Sequence, residues 1–450
     1  GGENMKNKQS KDIMIMGFML FAVFVGAGNV ILPPFVGVQS GSNWVWSAIG
    51  FIITGAGLPL LGTLAVNKAD GDANRLCDKA WPGIIKVLNV FILLIIGPLF
   101  AAPRTAAFTY EFSIKPLFPE GMVADFSVAG IQINIVSLLT SALYFIAAYF
   151  LIRSSTKGLD RIGRVFSPVL LTFIFVTILI SIIKPVGVPA EKNLSNYNSF
   201  FYFGFAEGYQ TMDGLGAALV GATVAQYMRK IGYGAKESTG VLAKAAVFAG
   251  LLMAAVYLGL IWVGASVSGS LNEQAGRSAV LAGSMHLVAG SFGTVLLQII
   301  VLFACLTTAS GLVITFAQFF AKLTNDRISE HTWTIFALLV CFFLSQIGVD
   351  GIIALAAPVL VAIYPVIMVI YVLNLFRDQL KDKYAFRAAL IAVLILAPIL
   401  FLSTTLGENN FAKKLLSAIP FDADFVYLPI SIIAYLLGLA YSKTRGNAEI

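Results

Sequence analysis

Long apolar stretches alternate along the whole chain with short connections rich in polar residues, glycine and proline. Stretches long enough to cross a bilayer recur at 13–38, 43–66, 83–109, 129–152, 164–183, 200–227, 240–266, 286–320, 332–348, 351–376, 386–405 and 424–442. A spanning helix needs about 20 such residues, so the pattern predicts about twelve of them. The connections hold the breakers, as in Asn67 to Pro82, Pro116 to Gly121, and Lys184 to Asn198 with Pro185, Gly187 and Pro189. No linker marks a second domain. The predicted fold is an all-α integral membrane protein.

Composition excludes a soluble enzyme, because the 450 residues are 58% hydrophobic and only 12% charged, against roughly 25% charged in soluble domains. The position of the charges says more than their sum of +7. Lysine and arginine crowd into alternate connections, within 6–11, 68–86, 153–164, 229–244, 322–327, 377–387 and 443–445. The connections between these hold only Lys115, Lys184, Lys192, Arg277, Lys413 and Lys414. That alternation supports the helix count and puts both termini in the cytoplasm. The charge is therefore a membrane-orientation signal, with no nucleic acid and no obligate protein partner implied. Cys77, Cys305 and Cys341 form no disulfide or metal pattern. Gly1-Gly2-Glu3-Asn4 before Met5 reads as a cloning remnant, and no cleavable signal follows. Asn193-Leu194-Ser195 is a chance-level glycosylation match.

Ionisable groups and broken helices at mid-depth are costly in lipid, so they mark where function lies. The first span carries Gly26-Ala27-Gly28-Asn29 and then Pro33-Pro34. Glycine frees the backbone and proline removes a donor, which predicts an unwound stretch between two half-helices. A glycine packing face with a proline kink is the competing reading. The sixth span carries Gly204-Phe205-Ala206-Glu207-Gly208-Tyr209, then Thr211-Met212-Asp213. Glu207 and Asp213 each cost about 2–4 kcal/mol at mid-bilayer unless offset. Either they serve a site, or they are structural acids satisfied by backbone or by Arg104 of the third span. Arg104 can equally snorkel to the outer interface. Thr307 and Thr308 of the eighth span bond back to their own helix in the ordinary case. Beside a broken helix with free carbonyls, they also suit a hard cation.

Breaks in the first and sixth spans divide the chain into two five-helix halves, 13–183 and 200–376, followed by helices at 384–442. An odd number of spans inverts the second half, which is the signature of an inverted-repeat transporter with a midplane site. The short ends 1–12 and 443–450 then lie in the cytoplasm.

At these residues the chain resembles the bacterial branched-chain amino acid:cation symporters from Met5 to its end. Gly26-Ala27-Gly28-Asn29 with Pro33-Pro34, Glu207-Gly208-Tyr209, Thr211-Met212-Asp213 and Ala304-Cys305-Leu306-Thr307-Thr308 carry the resemblance. More distantly, the glycine pair and Ala304-x-x-Thr307-Thr308 look like the leucine-transporter fold. That resemblance implies a sodium site of Ala22, Val25 and Ala304 carbonyls with the two threonine hydroxyls. It also implies import of leucine, isoleucine and valine across the bacterial cytoplasmic membrane. Glu207 and Asp213 have no counterpart in the leucine transporter's own sixth helix, so proton coupling stays open beside sodium.

A zwitterionic apolar substrate needs donors, acceptors and a dry pocket. The N–H groups from Gly26 to Gly28 suit its carboxylate, and carbonyls from Ala206 to Tyr209 with Glu207 suit its ammonium. Phe205, Tyr209 and Phe100 are candidate pocket walls, and Asp213 is a coupling or structural acid. With no phosphate-loop motif, an ion gradient must supply the energy. One cation crossing 100 mV yields about 2.3 kcal/mol, enough for roughly fifty-fold accumulation. No cofactor is expected. His-Glu-x-x-His and Gly-x-Ser-x-Gly are absent, and Ser154-x-x-Lys157 lies in a basic loop, which argues against an enzyme. An ion channel is the remaining rival class.

Overall fold

The computed structural model describes residues 2–118, 125–128, 131–153, 156–194, 197–230, 232–272, 274–407, 410–420 and 425–444. Ser154, Ser195 and the tail from residue 445 lie outside the described residues. Among the described residues are seven helices long and apolar enough to cross a membrane, with two shorter apolar helices at Pro168–Ile183 and Glu330–Ser345. The regular structure among the described residues is helical except for one antiparallel hairpin, Asp125–Val128 with Ile131–Asn134. This hairpin occupies the start of the apolar stretch predicted from residue 129, and the helix behind it runs Ile135–Arg153. A short helix, Phe411–Ser417, also sits in a connection where none was predicted.

Two helices are interrupted beside the site, while Arg277–Leu323 kinks at Gly290, with φ +71°, away from it. The first runs Gly2–Phe24, pauses at Val25 and Gly26, and resumes as Ala27–Val30 and Leu32–Ser40. Pro33 and Pro34 fall at the start of the resumed helix, where a missing N–H costs nothing. The second runs Phe200–Tyr209, turns through Gln210 to Met212, and resumes as Asp213–Lys230.

Each broken helix lies along one unbroken partner. Both halves of the first pack on Ala235–Ser266, while both halves of the second pack on Trp44–Ile52 and Leu58–Lys68. Glycines set how closely these helices approach. A Cβ on Gly37 would stand 2.0 Å from the Ile261 carbonyl oxygen, one on Gly264 2.0 Å from that of Pro34, and one on Gly204 1.9 Å from that of Ser47. Such backbone-to-backbone contact is how membrane helices gain packing energy without a hydrophobic drive.

Those contacts correct the expected position of the second break. The helix continues unbroken through Gly204 and Gly208, both of which are packing glycines. A Cβ on Gly208 would lie 2.0 Å from Thr54 Oγ1. The chain unwinds four residues after Gly208, at Met212, which takes φ +62° although it is not glycine.

Candidate functional site

The break in the first helix releases specific carbonyls. Gly26 N–H donates to the Phe24 carbonyl at 3.1 Å instead of reaching Ala22. Asn29 N–H donates to the Gly26 carbonyl at 3.0 Å instead of reaching Val25. Ala22 and Val25 therefore lose their helical partners, and theirs are the carbonyls that the sodium-site expectation names. On the facing helix, Arg277–Leu323, Thr307 and Thr308 each donate to the Ala304 carbonyl at 2.9 Å. That is the back-bonding any mid-span hydroxyl prefers, and each oxygen keeps lone pairs. A Cβ on Gly26 would stand 3.5 Å from Thr308 Oγ1, so the break and the threonines are neighbours.

The second break closes itself with tighter turns. Gln210 N–H donates to the Glu207 backbone carbonyl at 3.0 Å, and Met212 N–H to that of Tyr209 at 3.0 Å. Side chains take up what is left over: Tyr364 Oη donates to the Tyr209 carbonyl at 3.1 Å, and Arg104 Nη1 to the Gln210 carbonyl at 2.6 Å. Arg104 reaches this point because its own helix is kinked at Gly97, with φ −84° and ψ −114°. It is 3% exposed and thus buried in the bundle, not snorkelling to an interface.

Asn29 ties the two breaks together. Its Nδ2 donates to the Phe24 carbonyl at 2.7 Å and to Asp213 Oδ2 at 2.5 Å, with Tyr257 Oη at 3.3 Å. Asp213 opens the resumed half of the second helix, where a negative charge is favoured by the helix dipole.

These groups converge on one cavity of about 320 Å³, within the range of small-ligand pockets. Ala22, Val25, Gly26, Gly28, Asn29, Asp213, Ala304, Thr307 and Thr308 all line it, with Arg104 and Thr105. The side chain of Ala27 lies outside the described residues. The predicted half of the site on the second helix is placed elsewhere. Ala206, Glu207 and Tyr209 line a second cavity of about 760 Å³, beyond the second break. Glu207 Oε1 there accepts from Arg277 Nη2 at 2.6 Å, and Arg277 Nη1 donates to Asp350 at 2.5 Å. Glu207 thus faces an arginine of the chain, where sequence reading had expected a substrate ammonium. Gly208 packs against Thr54, and Phe205 stacks edge-on with Tyr209 and Phe425 at 5.1 and 5.2 Å between ring centres. Neither Phe205 nor Phe100 lines either cavity. Sequence reading missed Arg104 and Arg277 as site residues. The signal for Arg104 was present, a cation deep in a span, whereas Arg277 read as one more charge in a connection.

Residues 9–445 match the model of a family described as branched-chain amino acid transport protein. The chain is similar to the branched-chain amino acid permease BraB of Bacillus subtilis (strain 168), 35% identical over 86% of this chain and 84% of that one. It is similar as well to the branched-chain amino acid transport system 2 carrier protein of Pseudomonas aeruginosa, 31% identical over 97% of each. Among solved structures, MHP1, a nucleobase-cation-symport-1 family transporter in a closed conformation with bromovinylhydantoin bound, matches with a TM-score of 0.59. At 13% identity over 96% of this chain and 93% of that one, this likeness shows the fold alone.

Proposed function

The chain belongs to the branched-chain amino acid transport family, a family of transporters and not of enzymes, and from that premise we propose that it imports leucine, isoleucine and valine by symport with a cation, sodium being the coupling ion. The observation that carries this reading is the meeting of two helix breaks and a threonine pair on one buried cavity. Free carbonyls at Ala22 and Val25, with Thr307 and Thr308, supply hard oxygen ligands suited to sodium. The first turn of the resumed helix at Ala27 and Gly28 presents amide N–H groups, which suit a carboxylate.

The architecture proposed with it is twelve spans in a five-plus-five inverted repeat, 13–183 and 200–376, with two further helices at 384–442. The reciprocal packing of each broken helix on an unbroken one supports this repeat. With both termini cytoplasmic in the bacterial cytoplasmic membrane, the cavity lined by Ala22, Val23, Gly216, Val220 and Leu312 faces inward. The cluster at Arg277 then seals the outer side. Alternating access consists of opening one seal while the other closes.

Asp213 favours a second reading, with a proton as the coupling ion, because a carboxylate lines the cavity at the break itself. Purified protein in vesicles, given labelled leucine and sodium or proton gradients imposed one at a time, separates the two. Sodium-driven accumulation that persists when the proton gradient is collapsed is the expected result. Accumulation driven by the proton gradient alone would assign coupling to Asp213. Leucine flux that only equilibrates under either gradient would remove the symport reading.

A further inference from the structure

Arg104 is a buried charge that touches no acid, although Asp213 attracts it across the cavity. It is 3% exposed, yet among the described residues no carboxylate lies within ion-pair distance of it. Among the described residues its single hydrogen bond joins Nη1 to the Gln210 carbonyl, and Nε, enclosed by protein, has no partner. Nη2 points toward the first helix break, where a Cβ on Gly28 would stand 3.6 Å away. An isolated ionised group inside a protein costs several kcal/mol, and that cost persists only if something else offsets it. Arginine cannot escape by losing its proton. The guanidinium therefore calls for an anion, and Nη2, the nitrogen that faces the first break, is the donor placed to meet one, by a charge-assisted hydrogen bond.

We propose that Arg104 binds the carboxylate of the transported amino acid through Nη2, with the Gly28 backbone beside it and Asp213 across the same cavity receiving the ammonium. This rests on the transport reading above and deepens it. The proposal explains why the cavity carries one fixed cation and one fixed anion: a zwitterion satisfies both and leaves neither buried alone. It also gives Gly28 a reason beyond helix breaking, since a side chain there would stand between the carboxylate and the guanidinium. Asn29 acts as a positioning residue that holds Asp213 against the first break.

The test compares leucine with leucinamide, which keeps the ammonium and the side chain but lacks the negative charge. Equilibrium binding is measured on purified wild type, Arg104→Gln and Arg104→Lys, each checked for a single gel-filtration peak. Wild type should prefer leucine at least roughly 30-fold, and Arg104→Gln should lower leucine affinity about as much while bringing the two ligands within about threefold. Arg104→Lys keeps the charge without the fork and should fall between them. A folded Arg104→Gln that keeps the wild-type preference makes Arg104 a structural tie to Gln210 and overturns the proposal. If that variant does not fold, an Arg104→Lys preference equal to wild type overturns it and a reduced one supports it. Wild type that binds both ligands equally overturns the proposal but leaves the transport reading standing. Wild type that binds neither overturns both.

Discussion

Two arginines inside the helical bundle are handled in opposite ways. Arg277 is held by two carboxylates: Glu207 and Asp350 take its two terminal nitrogens at 2.6 and 2.5 Å, its backbone N–H reaches Asp350 at 3.2 Å, and its guanidinium lies 4.1 Å over the Phe35 ring, although its Nε, like that of Arg104, is buried without a partner among the described residues. Among the described residues Arg104 makes one hydrogen bond, to a carbonyl, and touches no carboxylate. A charge whose partners all come from the chain is a fastening. A charge left short of partners in a cavity is a receptor. The contrast teaches that two acids in one span need not share a role, because Glu207 belongs to the fastening and Asp213 to the receptor.

The sharpest way to break that comparison is Asp213→Asn. The amide keeps the volume and an oxygen for Asn29 but removes the charge that an ammonium would need. Charge-assisted hydrogen bonds contribute about 1.5–3 kcal/mol, so leucine affinity should fall by roughly 10- to 150-fold. Isothermal titration with leucine reads this directly. An affinity within threefold of wild type would return Asp213 to architecture.

Second in size is Glu207→Gln. Glu207 and Arg277 are 6% and 12% exposed, so the pair is desolvated and its loss is felt. Arg277 keeps Asp350, which limits the cost to about 1–3 kcal/mol. If the cluster seals the outer cavity, the seal should weaken while leucine binding at the inner cavity stays within about threefold. A cysteine placed at Ser403, which lines the outer cavity, should then react with a membrane-impermeant thiol reagent roughly tenfold faster than in the parent. Unchanged labelling with a large loss of leucine affinity would restore Glu207 to the substrate site.

Much of this was legible from residue order, and the failures have physical causes. The first break could be read because Gly26, Gly28, Pro33 and Pro34 act locally, through backbone freedom and missing donors. The second was misplaced because Gly204 and Gly208 look the same in sequence whether they unwind a helix or let another backbone approach, and here they admit Ser47 and Thr54. The actual break at Met212 carries no local signal. It is held from outside by Arg104 and Tyr364, on helices distant in the chain. The pairing of Glu207 with Arg277 was illegible for the same reason, since it joins residues 70 positions apart. The threonine pair drew notice only in combination with the broken first helix, because hydroxyls at that spacing ordinarily bond back to their own helix, as both do here on the Ala304 carbonyl. The hairpin at Asp125–Val128 and Ile131–Asn134 was hidden by apolar residues that satisfy either a strand or a helix.

The smallest effect sharpens the comparison most finely. Asp350 shares Arg277 with Glu207, but its side chain is 43% exposed, so water already screens and solvates it. Exposed ion pairs contribute about 0.2–1 kcal/mol. Asp350→Asn should therefore speed labelling at the Ser403 position by no more than a few-fold and leave leucine affinity unchanged. Raising the salt concentration should shrink this small difference in labelling, because the Asp350 arm of the cluster meets solvent, and should leave the Glu207→Gln difference nearly intact, because that arm does not. If salt instead erased both differences equally, the two carboxylates would be equivalent rim charges, and Arg277 would no longer stand as a buried fastening against which Arg104 is measured.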